Sequence, residues 1–321
     1  MSGTDRRMPD AVVEGAWRPH GCNSVRCVVL LTCVAAQLSA QELQPRAYIP
    51  TPVGLNYFGF SYSNNRGGLL FDPSLPLEDT QVHANITSIS FGQTVGVAGR
   101  TAQILAVVPY LVADLGGRAL GVQQSPYRSG LGDATFRYAM NITGAPAMNL
   151  KQYAGYRQKT IVGASITVTA PTGQYDSNRL INIGASRWAF KPELGVSRAF
   201  GKWTVEGAAG TWLFPANNRY YGNSARTQDP LGTLQFHIVR FLPHRIWLAA
   251  DWTFYTGGRT QINGRDLPNY LGNTRLGATF GIAVTRRQGI KVSYFKGTWT
   301  RVGTDIESIG VSYNLIWLKG R

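Results

Sequence analysis

Apolar and polar side chains alternate along most of the chain after residue 52. The clearest case is the stretch 185–214, whose first run places Trp188 and Leu194 on one face and Lys191 and Glu193 on the other. A period of two is the pattern of a β-strand, and the second run repeats it with its charge on the matching face. This hairpin alone fits either a soluble sandwich with charges facing water or a membrane barrel with charges facing a lumen.

The alternation continues in both directions and predicts about twelve strands. The predicted strands are residues 53–63, 81–94, 102–113, 133–143, 159–170, 185–199, 203–214, 231–241, 245–256, 273–284, 290–300 and 306–317. Pro109 lacks an N–H, so it either weakens the middle of the third strand or marks a bulge.

The connections between these strands alternate in length. Those after strands one, three, five, seven and nine are long, and those after strands two, six, eight and ten are short, with 144–157 as a longer exception. Short turns at one end of an even number of strands are typical of outer-membrane barrels. No run of 18 apolar residues follows residue 40, which argues against transmembrane helices. The sequence therefore predicts an all-β fold, an antiparallel transmembrane β-barrel of about 12 strands.

Several aromatic residues fall near the predicted strand ends, where rings anchor a barrel at the two bilayer interfaces. These residues are Trp188, Trp203, Phe241, Trp252, Phe254 and Trp317. We expect them to form the aromatic girdles, although aromatic residues are also common in strands of other proteins.

The N-terminus has the pattern of an export signal. Arg26 precedes the apolar run 27–36, and the small residues at 38–40 form a cleavage site. We expect residues 1–40 to be removed, 41–52 to form a short periplasmic lead, 53–317 the barrel and 318–321 a C-terminal tail. The acidic residues before Val25 are unusual for a signal, so we expect translation to start at Val25, with Met1 as the alternative.

Composition narrows the function classes. All three cysteines precede residue 41, so a disulfide framework or thiolate metal site is not expected in the mature chain. Removal of residues 1–40 leaves 28 basic and 14 acidic residues, a net charge of +14. Nucleic acid is a weak expectation for an exported barrel, whereas outer-membrane lipid and the anionic surface glycolipid are expected partners of its basic loops.

Ionisable residues on the predicted inner faces are the candidate pore-lining residues. They are Arg137, Lys159, Lys191, Glu193, Glu206, His237, Asp251, Arg275 and Lys291. They suit either a polar lumen that conducts a small solute or a plugged interior held by salt bridges. We expect Glu206 to lie close enough to join Lys191 and Glu193.

A catalytic or metal site is less well supported by the sequence than a polar lumen. The mature chain has only His83, His237 and His244, and no serine or aspartate motif surrounds any of them. Metal-ligand spacing is absent, so we expect no catalytic residues, cofactor or metal. A barrel hydrolase that uses serine and histidine remains an alternative.

Two resemblances add to this picture. The last strand, from Ser308 to Trp317, resembles the C-terminal signal that the barrel-assembly machinery recognises, although four residues follow the final aromatic. Six motifs resemble those of the outer-membrane family described as the putative meta-pathway of phenol degradation, whose members are often labelled transporters. They are Pro171-Thr172-Gly173, Asn182-Ile183-Gly184, Trp188 to Gly195, Gln228-Asp229-Pro230, Gly257 to Thr260 and Asn273 to Gly277. The resemblance implies a barrel that passes aromatic or other small hydrophobic compounds.

We therefore expect an outer-membrane channel for passive passage of small solutes, with no enzymatic activity. The alternatives are an outer-membrane lipid hydrolase and a structural barrel with a closed lumen. Residues 41–52 are few for a plug before the first strand, so an occluded lumen is expected to involve residues 64–80 or 114–132 folding inward.

Overall fold

The computed structural model describes residues 45–70, 77–119, 122–124, 126–179 and 181–318, and the predicted signal segment lies outside them. Twelve strands form a closed antiparallel barrel. In chain order they are β1 (Leu55–Leu70), β2 (Leu77–Val97), β3 (Arg100–Ala119), β6 (Thr135–Thr143), β7 (Thr160–Thr169), β8 (Ala189–Phe200), β9 (Trp203–Trp212), β12 (Leu231–Phe241), β13 (Ile246–Gly257), β16 (Leu271–Ala283), β17 (Gln288–Trp299) and β18 (Gly303–Leu318). The predicted fold class is confirmed.

Pairing between the first and last strands closes the barrel. β1 and β18 run antiparallel from Leu55 opposite Leu318 to Leu70 opposite Gly303, without a register shift. Each of the other barrel strands pairs with its neighbours in sequence, so the sheet has no free edge around the ring. A closed ring satisfies every strand's backbone hydrogen bonds within the protein, which a bilayer interior requires.

Pro109 marks an interruption in the wall, as its missing N–H predicts. β3 pairs with β6 up to Val107 and with the short strand β5 (Tyr127–Leu131) from Tyr110 onward. Residues 132–134 lie opposite the proline, outside both ladders. The N–H of Gly132 donates to the Pro109 carbonyl, whereas the N–H of Ala134 and the side chain of Asp133 bind a loop, as described below.

The two faces of the wall differ in polarity. On the hairpin β8–β9, Leu194 is 61% exposed and faces outward, whereas Lys191 and Glu193 are 3% and 5% exposed and face the lumen. Apolar residues outside and charged residues inside are the arrangement of a transmembrane barrel. Phe241 departs from the girdle prediction, because it follows the inward parity of Val239 and contacts a side chain inside the lumen.

The two ends of the barrel also differ. The turn end carries short turns, both chain ends of the barrel and a helix, α1 (Leu150–Gly155), which accounts for the long connection after β6. The loop end carries a four-stranded sheet of β10 (Asn217–Tyr220), β11 (Ser224–Gln228), β14 (Thr260–Ile262) and β15 (Arg265–Asp266). A short strand, β4 (Val122–Gln124), pairs antiparallel with the end of β3. No helix of the described residues is long and apolar enough to cross a membrane.

Residues 45–52 differ from the expected periplasmic lead. They enter the barrel from the turn end, and Tyr48 is buried against inward-facing side chains of β7 and β8. Residues 64–80 and 114–132 were the candidates to fold inward if the lumen were occluded. Most of their described residues belong instead to strands β1 to β5. The short segment before β1 occupies the lumen because its polar groups bind charged groups of the inner wall.

The outward orientation of β8 predicts how a new charge would act. Leu194→Arg places a charge near the middle of the apolar wall, and we expect it to lower the free energy of unfolding in lipid by about 2–4 kcal/mol. Phe200→Arg changes an outward residue at the end of the same strand and is expected to cost at most about 1 kcal/mol. Unfolding by guanidine in phospholipid vesicles measures the loss of unfolding free energy in both variants. Equal losses would contradict the placement of Leu194 at the middle of the outer face.

Candidate functional site: the barrel lumen

Tyr48 is seated on a recess in the inner wall. Gly163 and Gly195 lie opposite each other on β7 and β8, and a Cβ at either position would collide with the Tyr48 ring. The phenolic oxygen donates to Glu193 Oε1 at 2.9 Å and shares a hydrogen bond of 3.2 Å with Ser165 Oγ. The recess and the two polar partners hold the segment in one place.

Arg46 anchors the same segment to another part of the wall. Its backbone N–H donates to Glu206 Oε2 at 2.6 Å, and Ser197 Oγ donates to the other carboxylate oxygen at 3.1 Å. Its guanidinium lies 5.3 Å from the ring centroid of Phe241 and 5.2 Å from that of Trp247. Residues 45–52 therefore span from β8 and β9 to β12 and β13 inside the lumen.

The predicted inner-face charges form separate groups. Lys191 Nζ lies 3.0 Å from Glu193 Oε2. Glu206 does not join that pair, because the register places it opposite Ser197 on β8 and opposite His237 on β12. The expectation of one three-residue cluster is wrong, and the segment at residues 45–52 connects the two carboxylates instead.

A second buried group lies on β12, β13 and β16. His237 Nδ1 lies 2.7 Å from Asp251 Oδ1, and Thr279 Oγ1 donates to Asp251 Oδ2 at 2.7 Å. The other ring nitrogen, His237 Nε2, has no hydrogen-bond partner within the described part of the chain. The group is a buried Asp–His pair facing the lumen.

The remaining candidates are spread along the barrel. Arg137 lies 5.2 Å from the Tyr48 ring centroid, and Arg275 lies 5.4 Å from that of Tyr255. Lys291 lines a cavity at the turn end. Lys159 precedes the first residue of β7, where the ladder alternation has not begun, and its side chain is exposed.

The other two histidines lie outside the lumen. His83 is exposed on the outer face of β2, with Nε2 3.0 Å from Asn64 Nδ2 and 3.3 Å from Arg66 Nε. His244 is exposed in the turn after β12. Across the described ranges, no group of three or more His, Cys, Asp or Glu residues is arranged to hold a metal ion.

The segment at residues 45–52 lies between two cavities. The turn-end cavity, about 390 Å³, has Arg46, Phe241, Arg245, Trp247, Lys291 and Asn314 in its lining. The loop-end cavity, about 70 Å³, has Arg187, Trp212, Phe214, Arg226, Tyr255 and Arg275 in its lining. Both combine aromatic rings with cationic side chains.

Asp133 fixes the loop between β7 and β8 over the loop-end cavity. Its carboxylate accepts the backbone N–H groups of Gly173 and Ala185, each at 2.8 Å, and the N–H of Ala134 donates to Thr172 Oγ1 at 2.8 Å. Burial raises the pKa of the Asp133 carboxyl, and the two backbone hydrogen bonds oppose that rise. Gly184 packs so closely on Gly173 that a Cβ would collide.

This contact explains two of the six motifs. Pro171-Thr172-Gly173 and Asn182-Ile183-Gly184 meet around Asp133, which is free of the ladder because it lies opposite Pro109. The motifs Gln228-Asp229-Pro230 and Gly257 to Thr260 meet likewise, since the N–H of Gly258 donates to the Pro230 carbonyl and that of Asp229 to the Arg259 carbonyl. These four motifs thus shape the opening of the lumen at the loop end, which we call the mouth.

Some residues of the pathway were not predicted. Tyr48 lies in a segment without alternation, Asp133 in a gap between strands, and Arg187 in a loop. Arg226 is not among the candidate pore-lining residues of the sequence, yet it is 7% exposed and stacks on Tyr220. The glycines at 163 and 195 were the available sign of a close approach, although a strand glycine does not identify what approaches it.

Asp133 gives a prediction for the mouth. Asp133→Asn replaces one acceptor oxygen with a donor that faces a backbone N–H, and we expect the loop to lose about 1–3 kcal/mol of local stability. Limited proteolysis of the folded protein should then cut within residues 171–187 faster than in the wild type. Asp176→Asn weakens an exposed pair with Arg179, while its side-chain oxygen can still accept the N–H of Asn178. It is the control and should leave the cutting rate near the wild-type value. Equal cutting in all three proteins would contradict the role of Asp133.

Comparisons with known proteins agree with this architecture. An outer membrane channel from Pseudomonas putida F1 superposes with a TM-score of 0.74 at 19% identity, covering 86% of this chain and all of that one. The β-domain of the Bordetella autotransporter BrkA gives a TM-score of 0.46 at 13% identity, covering 82% of this chain and 99% of that one, which is too low to support an argument. No curated protein matches the sequence. The model of the family described as "Putative MetA-pathway of phenol degradation" matches residues 53–315, and the chain therefore belongs to that family.

Proposed function

We propose that the chain is a channel of the bacterial outer membrane for passive passage of small solutes, aromatic or hydrophobic compounds among them. The family and the transmembrane barrel support this function. The observation that carries it is a single lumen with an aromatic-lined cavity on each side of residues 45–52. Short turns of such barrels face the periplasm, so the turn end is assigned to that side.

The cavity walls suit an aromatic solute. Trp212, Phe214 and Tyr255 contribute rings at the loop end, and Phe241 and Trp247 contribute rings at the turn end. Small-molecule sites are typically concave and apolar with a few placed polar groups. The loop-end cavity, at about 70 Å³, is smaller than the ~150 Å³ that holds a benzene ring, so passage requires side chains to move.

Opening requires the displacement of only a short segment. Residues 45–52 are held at Tyr48 by the recess and Glu193, and at Arg46 by Glu206 and two rings. Residues 49–51 are held by hydrogen bonds to Gln103 and Thr94 of the wall. Each contact is a hydrogen bond or a stacking interaction, worth about 1 kcal/mol or somewhat more. The segment can therefore leave the lumen without unfolding the wall.

The function is proposed to be non-enzymatic. A hydrolase of the serine type needs a hydroxyl next to the base, which would be His237 Nε2 here. Within the described residues that nitrogen has no partner, and Ser197 donates to Glu206. His237→Asn should therefore leave ion conductance and solute passage near wild type, and abolished lipid hydrolysis in this variant would favour the hydrolase.

Conductance in planar bilayers tests the channel. We expect the wild type to show small currents, and phenol in the bath to reduce them because solute and ions share one lumen. Glycerol at the same concentration is the control and should not reduce the current beyond its effect on solution conductivity. A protein that never conducts would favour the closed structural barrel.

The glycine recess predicts a variant that opens more often. Gly195→Ala puts a methyl group into the Tyr48 ring, and such overpacking costs about 1–3 kcal/mol. The open fraction should rise by roughly fivefold or more if the segment leaves in response. Gly272→Ala is the matched control, because the nearest atom to its Cβ lies 3.9 Å away. An unchanged open fraction in Gly195→Ala would mean that residues 45–52 do not control the opening of the channel.

A further inference from the structure

The loop-end cavity is rich in donors and positive charge. Its lining contains three guanidinium groups, those of Arg187, Arg226 and Arg275, and one carboxylate, that of Asp133. Arg187 and Arg226 are buried, so water screens their charge less than it screens loop arginines. The lining therefore favours a negatively charged occupant.

The side-chain acceptors of this lining are already engaged. Asp133 accepts two backbone N–H groups, and Gln228 Oε1 accepts from Arg187. Asn269 Oδ1 accepts the N–H of Thr260, and Asn273 Oδ1 accepts that of Arg301. A ligand that brings its own acceptors complements this lining better than one that brings donors.

One donor of the lining has no partner. The side chain of Trp212 is 4% exposed, and its indole Nε1 has no hydrogen-bond partner in the part of the chain that the structure describes. A buried donor without an acceptor destabilises the protein, so a ligand oxygen that accepts a hydrogen bond from this atom would remove that cost. The indole N–H is thus a second feature, independent of charge, that suits an acceptor.

The rings in the lining suit an apolar body attached to that acceptor group. Trp212, Phe214, Leu231 and Leu271 line the cavity with Tyr255. The volume of about 70 Å³ corresponds to roughly two waters at ~30 Å³ each, which is enough for a head group while the body displaces side chains. A planar carboxylate also matches the planar fork of a guanidinium.

The turn-end cavity repeats the same combination. Arg46, Arg245 and Lys291 are in its lining with Phe241 and Trp247, and no carboxylate is among the described lining residues. The middle of the lumen differs, because its charges are paired there, as in Lys191 with Glu193. Positive charge with aromatic surface therefore occurs on both sides of residues 45–52.

We propose that the loop-end cavity binds the carboxylate of an amphipathic anion, such as an aromatic carboxylate, through Arg187, Arg226, Arg275 and the Trp212 indole. This assignment rests on the proposed channel function and specifies its solute class. The neutral ring alone would gain the apolar contacts but not the guanidinium and indole hydrogen bonds.

Isothermal titration calorimetry of the full barrel in a non-ionic detergent tests the site without transport. Benzoate should bind at least about tenfold more tightly than benzyl alcohol, and benzylamine should bind least. Arg275→Gln should weaken benzoate binding about tenfold and leave benzyl alcohol within about twofold, whereas Arg275→Lys should keep part of the preference. Arg259→Gln removes the same charge from an exposed loop position outside the lining and should change neither ligand.

Trp212→Phe serves if the arginine variant does not fold. This substitution keeps a ring and removes the N–H, so the affinity for benzoate should fall several-fold while the affinity for benzyl alcohol changes little. Equal affinity for benzoate and benzyl alcohol in the wild type, or unchanged benzoate affinity in the lumen variants, would overturn the anion site. If the protein conducts ions but binds benzoate no more tightly than benzyl alcohol, only the proposed anion site is overturned. If benzoate binding depends on Arg275 but the protein never conducts ions, only the proposed channel function is overturned.

Discussion

The structure depends on hydrogen bonding between β1 and β18, which joins the two ends of one sheet. A bilayer offers no partners to backbone N–H and C=O groups, so an open sheet edge could not lie within it. In the closed ring, every second side chain of a strand points into a lumen of limited width. On β8, this inner face carries Lys191 and Glu193. The polar groups of the lumen must then find partners inside the barrel, because a buried charge without one is costly.

Residues 45–52 supply part of those partners. The Arg46 N–H and the Tyr48 hydroxyl bind Glu206 and Glu193, two carboxylates that the register keeps apart. So short a segment suffices because the paired glycines at 163 and 195 let the Tyr48 ring lie against the wall. The same features make closure of the lumen reversible, since the segment is held by hydrogen bonds and cation–π contacts and none of them is part of the barrel's ladder.

The sequence allowed the wall to be predicted well and the lumen contents poorly. Alternation identifies the faces of Leu194 and Glu193 from period alone, because a strand in a barrel wall has only two sides. It gives no information on Tyr48, whose segment has no period. It also began the fourth strand at Asp133, which lies in a gap between β5 and β6. It also failed for Glu206, because contact across strands depends on register, and the register pairs Glu206 with Ser197. Lys159 was misplaced because alternation was extended one residue beyond the strand.

The distribution of charge along the lumen connects the fold to the solute. At the middle, Lys191 lies next to Glu193 and His237 next to Asp251, so these two carboxylates have partners where residues 45–52 cross the lumen. Toward each end the cations outnumber the carboxylates of the lining and lie beside aromatic rings. A solute with an apolar body and one negative group would therefore find a favourable position on each side of the segment and a sterically closed zone between them. Displacement of the segment would then control passage, while the charge of the two cavities would select what waits at either side.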